Sequence, residues 1–146
     1  MFYILIVALI VIDQIIKIIV RANLSLGQGF SIIGDLFKIT YIENTGMAFG
    51  MMSGKSIFLV FLPLVFMIVI YLAWRKYKDK YGKILGISVA LILAGGLSNL
   101  FDRIAFGSVT DYLDLQHFAI FNFADICATV GCALLCLSIF FFEKKE

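Results

Sequence analysis

The sequence predicts an all-α integral membrane protein, four transmembrane helices with a small extracytoplasmic β-sheet element. Three observations predict it. Hydrophobic residues make up 62% of the chain and mean hydropathy is +1.04. Charged residues are only 15%, where a soluble chain carries roughly a quarter. Uncharged apolar runs of bilayer length recur along the 146 residues, which have room for one domain, 1–146. A net charge of +2, with no Lys/Arg stripe interleaved with aromatics, leaves no case for a nucleic-acid partner.

The apolar runs 56–74, 84–101 and 126–142 each approach the roughly 17–25 residues that a spanning helix needs. A fourth run, 1–20, is interrupted by Asp13 and Lys17 and closed by Arg21. It reads as a span rather than a cleaved leader, because it lacks a positive n-region and a clean small-x-small cleavage site. The expected spans are therefore about 3–20, 56–74, 84–103 and 123–142. Arg75, Lys76, Lys78, Lys80 and Lys83 crowd the linker between spans two and three, and Lys144 and Lys145 follow span four. By the positive-inside rule that linker and both termini are cytoplasmic, so the longer loops face outward.

The first outer loop, about 23–55, carries the β element. After Gly27-Gln28-Gly29, the run 37–43 is β-branched and aromatic, with Phe37, Ile39 and Tyr41 on one side. The second outer loop holds a similar fragment, 109–115, after Gly107. Pro63 is expected to kink span two, and Gly95-Gly96 to allow close helix packing in span three. Cys127, Cys132 and Cys136 share span four at angles that forbid a disulfide within the helix, so they read as small apolar filler.

Charges within spans need a reason to persist, since a central Asp, Lys or Arg costs roughly 2.5–3.5 kcal/mol on insertion scales. Asp13 and Lys17 lie one helical turn apart and can pair, either as scaffold or as chemistry. Asn99, Asp102 and Arg103, at i, i+3 and i+4, aim three polar groups to one side of the outer end of span three. Asp111 follows in the second outer loop, and then Asn122-Phe123-Ala124-Asp125. Asn122 suits the N-cap of span four and Asp125 its N3 carboxylate, a capping box. Capping alone leaves the polar cluster of span three at the same boundary unexplained, so these residues are expected to form one site.

Nucleophilic Ser-His or Cys-His chemistry fails for want of a partner to the lone His117, and zinc fails for want of a tetrahedral set. The stretch 50–56 is one residue short of a phosphate loop. Magnesium on Asp102, Asp111, Asp114 and Asp125 stays open. If Asp111 and Asp125 face each other, they share one proton, the asymmetry that peptide hydrolysis uses. The same pair would also serve as a proton relay in a transporter.

These motifs carry a resemblance. Asp13-Gln14-xx-Lys17, Asn44-Thr45-Gly46-Met47-Ala48-Phe49-Gly50, Asn99-Leu100-Phe101-Asp102-Arg103, Val109-Thr110-Asp111 and Phe121-Asn122-Phe123-Ala124-Asp125 occur in order over nearly the whole chain. The sequence resembles the lipoprotein signal peptidases, signal peptidase II, aspartic proteases of the bacterial cytoplasmic membrane. Ser98 departs from the glycine or alanine often found there, a difference expected to touch packing more than chemistry. The resemblance implies that Asp111 and Asp125 are the catalytic dyad. It implies that Asn44, Gly46, Asn99, Arg103 and Asn122 line the site and hold substrate or dyad, with Asp13, Lys17, Asp102 and Ala124 in support. It implies no metal or organic cofactor. The implied substrate is a prolipoprotein whose lipobox cysteine carries diacylglycerol, anchored in membrane lipid at the bilayer surface and cut on the amino side of that cysteine. The outer sheet around Asn44 is expected to clamp the peptide, with Gly46 and Gly50 giving its loop freedom. Oligomeric state is not indicated.

Overall fold

The structure, a computed structural model, describes residues 1–46, 56–116 and 118–142. Helix α1 (Phe2–Asn23) leads into strands β1 (Gly29–Ile33) and β2 (Phe37–Asn44). Helix α2 (Ser56–Phe106) is followed by β3 (Val109–Leu115), β4 (Ala119–Phe121) and α3 (Phe123–Phe142). The expected His117, Lys144 and Lys145, and the Met47–Gly50 part of the loop motif, lie outside the described residues.

The expectation of four separate helices is corrected to three among the described residues. The reason is that the basic linker continues the helix. Lys and Arg are good helix formers, and they end an apolar run without ending the helix that carries it. At 1.5 Å per residue, α2 would reach about 76 Å if straight, more than twice the roughly 30 Å hydrocarbon thickness. It is broken at Gly82, whose φ of 65° and ψ of −151° are non-helical and belong to glycine. The two arms, 56–81 and 83–106, then pack antiparallel. Trp74 lies beside Gly86, and Met67 beside Gly96.

Helix α1 is inside out relative to a soluble helix. Its buried residues are Ile6, Asp13, Lys17 and Val20, while Ile4, Val7, Val11, Ile15 and Ile18 are exposed. An outer face of aliphatic side chains around an inner polar stripe is stable only where hydrocarbon is the solvent. The apolar core joins Ile6 to Met67, Leu85, Val89, Leu93 and Leu100 of α2.

The four strands form one antiparallel sheet in the order β1-β2-β3-β4. Both expected strands, in the runs 37–43 and 109–115, are present and pair with each other, Asp111 opposite Ile42 and Val109 opposite Asn44. A register shift between Ile39 and Ile42 interrupts the ladder near the site. The outer strands β1 and β4 were not expected. All of β1 is exposed, so its sequence shows no alternation of buried and open positions, and β4 has only three residues.

Gly95 sets how closely α3 approaches α2. A Cβ there would overlap the Ala124 carbonyl oxygen and stand 3.0 Å from the Ala128 nitrogen. Gly95→Val is therefore expected to push the head of α3 away from α2. Thermal unfolding in detergent should show a loss of about 1–3 kcal/mol, the usual cost of overpacking, whereas the same change at exposed Leu97 should be nearly silent.

Candidate active site

The site is assembled where α1, α2 and α3 meet the sheet. Lys17 is fully buried, its Nζ 2.8 Å from Asp13 Oδ2 and 3.0 Å from Asp102 Oδ2. It also donates to Asn99 Oδ1 at 2.8 Å, so all three ammonium donors have acceptors. The Arg21 guanidinium lies 4.0 Å from Asp102 Oδ1 and stacks over Phe106. Two cations thus stand with two buried carboxylates, which is how such charges are tolerated away from water.

The remaining oxygens of that network tie the elements together. Asp13 Oδ2 accepts from Ser98 Oγ at 2.6 Å, and Asp13 Oδ1 from the Ala124 amide at 3.0 Å. Asp102 Oδ2 accepts from the Thr110 amide at 3.1 Å. Gln14 Nε2 donates to Asp102 Oδ1 and to Ser98 Oγ, at 3.0 and 2.9 Å. The expectation that Ser98 concerns packing is thereby corrected, because its buried hydroxyl both donates to Asp13 and accepts from Gln14. Gln14 and Thr110 were also missed as site residues. For Ser98 the available signal was its position one turn before Asp102.

The N-terminus of α3 leaves no orphan amide in its first turn. Phe123 donates to the Tyr112 hydroxyl at 3.1 Å, Ala124 to Asp13, Asp125 to Asn122 Oδ1 at 2.9 Å, and Ile126 to the Asn122 carbonyl at 3.3 Å. The Asn122 amide in turn donates to Asp125 Oδ2 at 3.1 Å. The predicted capping box is therefore present, and it uses only one oxygen of Asp125. The other, Oδ1, accepts from Asn99 Nδ2 at 2.8 Å.

Asn122 joins the two candidate acids. Its Nδ2 donates to Asp111 Oδ1 at 2.7 Å, to Asn99 Oδ1 at 3.1 Å and to the Thr110 carbonyl at 3.3 Å. Asp111 Oδ2 accepts from Asn44 Nδ2 at 2.9 Å. Because Lys17 donates only, it fixes the Asn99 carbonyl toward itself and so turns the Asn99 NH2 toward Asp125. Asn99 and fully buried Asn122 thus spend their side chains on the acids and on the network. Gly46 is buried, its amide donating to Asn44 Oδ1 at 2.9 Å and its carbonyl accepting from Arg103 Nη2 at 3.3 Å.

Both acids border one cavity of about 490 Å³, with Asn44, Asn99 and Arg103. Its other wall is apolar, from β4 and the outer face of α3, and includes Phe118, Ile120 and Val130. Among the described residues, the buried Arg103 Nε has no hydrogen-bond partner. Burial lifts the Asp111 carboxyl to about 6, and the charge of Asp125 adds to the rise. Hydrogen bonds from Asn44 and Asn122, with the Lys17 charge, oppose it. Burial likewise raises the Tyr112 phenol, which stays protonated.

Asp102 and Asp114 are not brought to the cavity. Asp102 faces Lys17, and Asp114 accepts from Thr40 Oγ1 at 3.0 Å on the sheet. Among the described residues, no three His, Cys, Asp or Glu side chains are grouped to hold a metal ion. The four-aspartate magnesium arrangement left open by the sequence is therefore not formed. All three cysteines are free, Cys127 buried and the other two exposed.

Fold and site together define a helical membrane protein in which buried Asp111 and half-buried Asp125, linked through Asn122, both border one cavity at the sheet end of the bundle. Residues 5–141 match the family model described as signal peptidase (SPase) II. The lipoprotein signal peptidase of Halothermothrix orenii is 36% identical, covering 99% of this chain and 98% of that protein. That of Lactiplantibacillus plantarum is 39% identical over 94% of this chain and 93% of its own. A bacterial membrane enzyme solved by the in meso method superposes with a TM-score of 0.89 at 27% identity, covering 99% of this chain and 91% of that one. The chain belongs to the signal peptidase II family.

Removing the central cation tests the scaffold. Lys17→Met strands Asp13 and Asp102 without their shared partner, so unfolding in detergent should show a loss of about 3–5 kcal/mol, the cost of breaking a buried pair. Asp35, 96% exposed in its ion pair with Lys38, is the control, and Asp35→Asn should change stability by less than about 1 kcal/mol.

Proposed function

We propose that this chain is a membrane aspartic endopeptidase that removes the signal peptide from diacylglyceryl-modified prolipoproteins, cutting on the amino side of the lipidated cysteine. The observation that carries the reading is the Asn122 bridge. Its side chain donates to Asp111 while its backbone amide donates to Asp125, and both acids border the same cavity. Family membership supplies the substrate class. The transporter alternative gains no support from the family or from the structures matched.

Asp111 and Asp125 share one proton. The ionised carboxylate takes a proton from a water as its oxygen attacks the scissile carbonyl, and the protonated partner donates to the developing oxyanion. Collapse of the tetrahedral intermediate breaks the C–N bond and passes a proton to the departing cysteine nitrogen. The products are the free signal-peptide carboxylate and the amine of the lipid-bearing cysteine. Asn99 and Asn122 are positioning residues. Arg103 Nε, buried beside the cavity, is placed to receive a substrate carbonyl.

One membrane-embedded peptidase domain, 1–146, holds this machinery. It crosses the bilayer four times, with α1, the arms 56–81 and 83–106 of α2, and α3, both termini cytoplasmic and the sheet outside. A diacylglyceryl anchor holds the scissile bond at the depth where α2 ends and α3 begins, so much of the positioning precedes chemistry. The apolar wall of β4 and α3 suits the lipid side of the substrate, and the sheet around Asn44 and Gly46 clamps the peptide.

Purified protein in detergent should cleave a diacylglyceryl lipobox peptide with chelator present. Asp111→Asn and Asp125→Asn should each lower turnover by at least about 10³-fold while melting as the parent does. Sensitivity to chelator, or a substitution that leaves turnover intact, contradicts the assignment.

The pH profile follows from the raised acid. Asp111 holds its proton below about 6 and loses it above, so kcat/KM should fall as pH rises through that value. Bound substrate excludes water and penalises the charged form further, so the limb in kcat should lie higher. The sign for folding agrees. A raised carboxyl binds more protons folded than unfolded, and its contribution is lost as pH rises through about 6. A kcat/KM that climbs steadily from pH 5 to 8 contradicts the shared proton.

A further inference from the structure

A second cavity of about 320 Å³ opens at the far end of the bundle, between the first turn of α1 and the bend of α2. Phe2, Leu5, Trp74 and Ile87 give it an apolar lining. The Phe2 and Trp74 rings stack with centroids 3.8 Å apart and planes 7° apart. The indole packs beside Gly86, its Nε1 3.5 Å from where a Cβ would be, an ordinary contact distance. This cavity is remote from the acids. Phe2 precedes Lys17 by fifteen residues, roughly 22 Å of helical rise.

Two cationic side chains share its lining, Lys78 and Lys83, beside Met1. Five residues apart on an unbroken helix, they would point about 140° away from each other. The non-helical Gly82 between them turns both to the same cavity. Both are exposed, and neither has an ion pair among the described residues. Lys76 and Lys80, in contrast, lie over the rings of Tyr77 and Tyr81, at 5.1 and 5.6 Å. A general excess of cytoplasmic charge accounts for the number of basic residues in 75–83. It does not account for an apolar, aromatic-walled slot between two of them.

Apolar walls with paired cations at the mouth match one ligand chemistry, an acyl chain carrying an anionic headgroup. We propose that this cavity binds an anionic phospholipid of the cytoplasmic leaflet, its chain against Phe2, Leu5 and Trp74 and its phosphate with Lys78 and Lys83. The leaflet rests on the topology proposed above, whereas the binding is independent of peptidase activity. The lipid ties the start of α1 to the bend of α2, the end of the bundle that has no sheet to hold it.

Trp74 is the only tryptophan in the chain, so its fluorescence reports on this cavity. The full chain in neutral detergent micelles is titrated with phosphatidylglycerol brominated in its acyl chains, and in parallel with phosphatidylcholine brominated in the same way. Quenching should reach half its maximum at a roughly tenfold lower mole fraction of the anionic lipid. Lys78→Gln with Lys83→Gln should erase that preference, and Arg75→Gln with Lys76→Gln should keep it. Thermal unfolding of each preparation verifies folding, and cleavage of the lipobox peptide, read alongside, separates failure here from failure of the peptidase reading. Equal quenching by the two lipids overturns the proposal. So does a preference that survives the Lys78/Lys83 pair of changes, or one that falls equally with the Arg75/Lys76 pair.

Discussion

The structure depends on one buried ammonium group. Lys17 holds Asp13 of its own helix, Asp102 and Asn99 of α2, and each of these reaches a further element. Asp13 receives the Ala124 amide of α3, Asp102 receives the Thr110 amide of β3, and Asn99 turns its NH2 to Asp125. In hydrocarbon there is no water to satisfy these groups if they separate. The cost of an unpaired charge therefore fixes the relative placement of three helices and the sheet, which apolar contacts alone leave less specific. The acids of the cavity inherit their geometry from that arrangement.

Capping and the chemistry proposed for the site meet at Asp125. One carboxylate oxygen closes the reciprocal bond with Asn122 at the head of α3, and the other faces Asn99. A side chain held at both oxygens has little freedom, which suits the role proposed for it, presenting one orientation to a water. Asp111 is held similarly from the sheet, by Asn44 and Asn122. Its partner residues are Asn44 of β2 and Asn122 at the N-cap of α3, so folding of the sheet and docking of the last helix complete its setting together.

Much of this was legible in the sequence because it rests on local spacing. The Asp13–Lys17 turn, the Asn122–Asp125 cap, the strands in 37–43 and 109–115 and the shared face of Asn99, Asp102 and Arg103 all follow from helical or strand period. What was not legible required contacts between elements. Lys17 also serving Asp102, Gln14 reaching Ser98, and the backbone amides of Thr110 and Ala124 ending on carboxylates leave no trace in periodicity. The helix through 75–81 was hidden because a charge run marks where lipid ends, not where hydrogen bonding ends, and only Gly82 interrupts it. Strand β1, exposed throughout, had no alternation to read.

The central claim is that two carboxylates, held by this network, share a single proton. Infrared difference spectroscopy of the purified protein, titrated between pH 5 and 8, observes that proton directly through the carbonyl stretch of a protonated carboxyl group. The account predicts one such band that disappears as pH rises through about 6 and that is absent from Asp111→Asn. A spectrum in which both acids are ionised across the whole range, or in which the band is unchanged by that substitution, contradicts it.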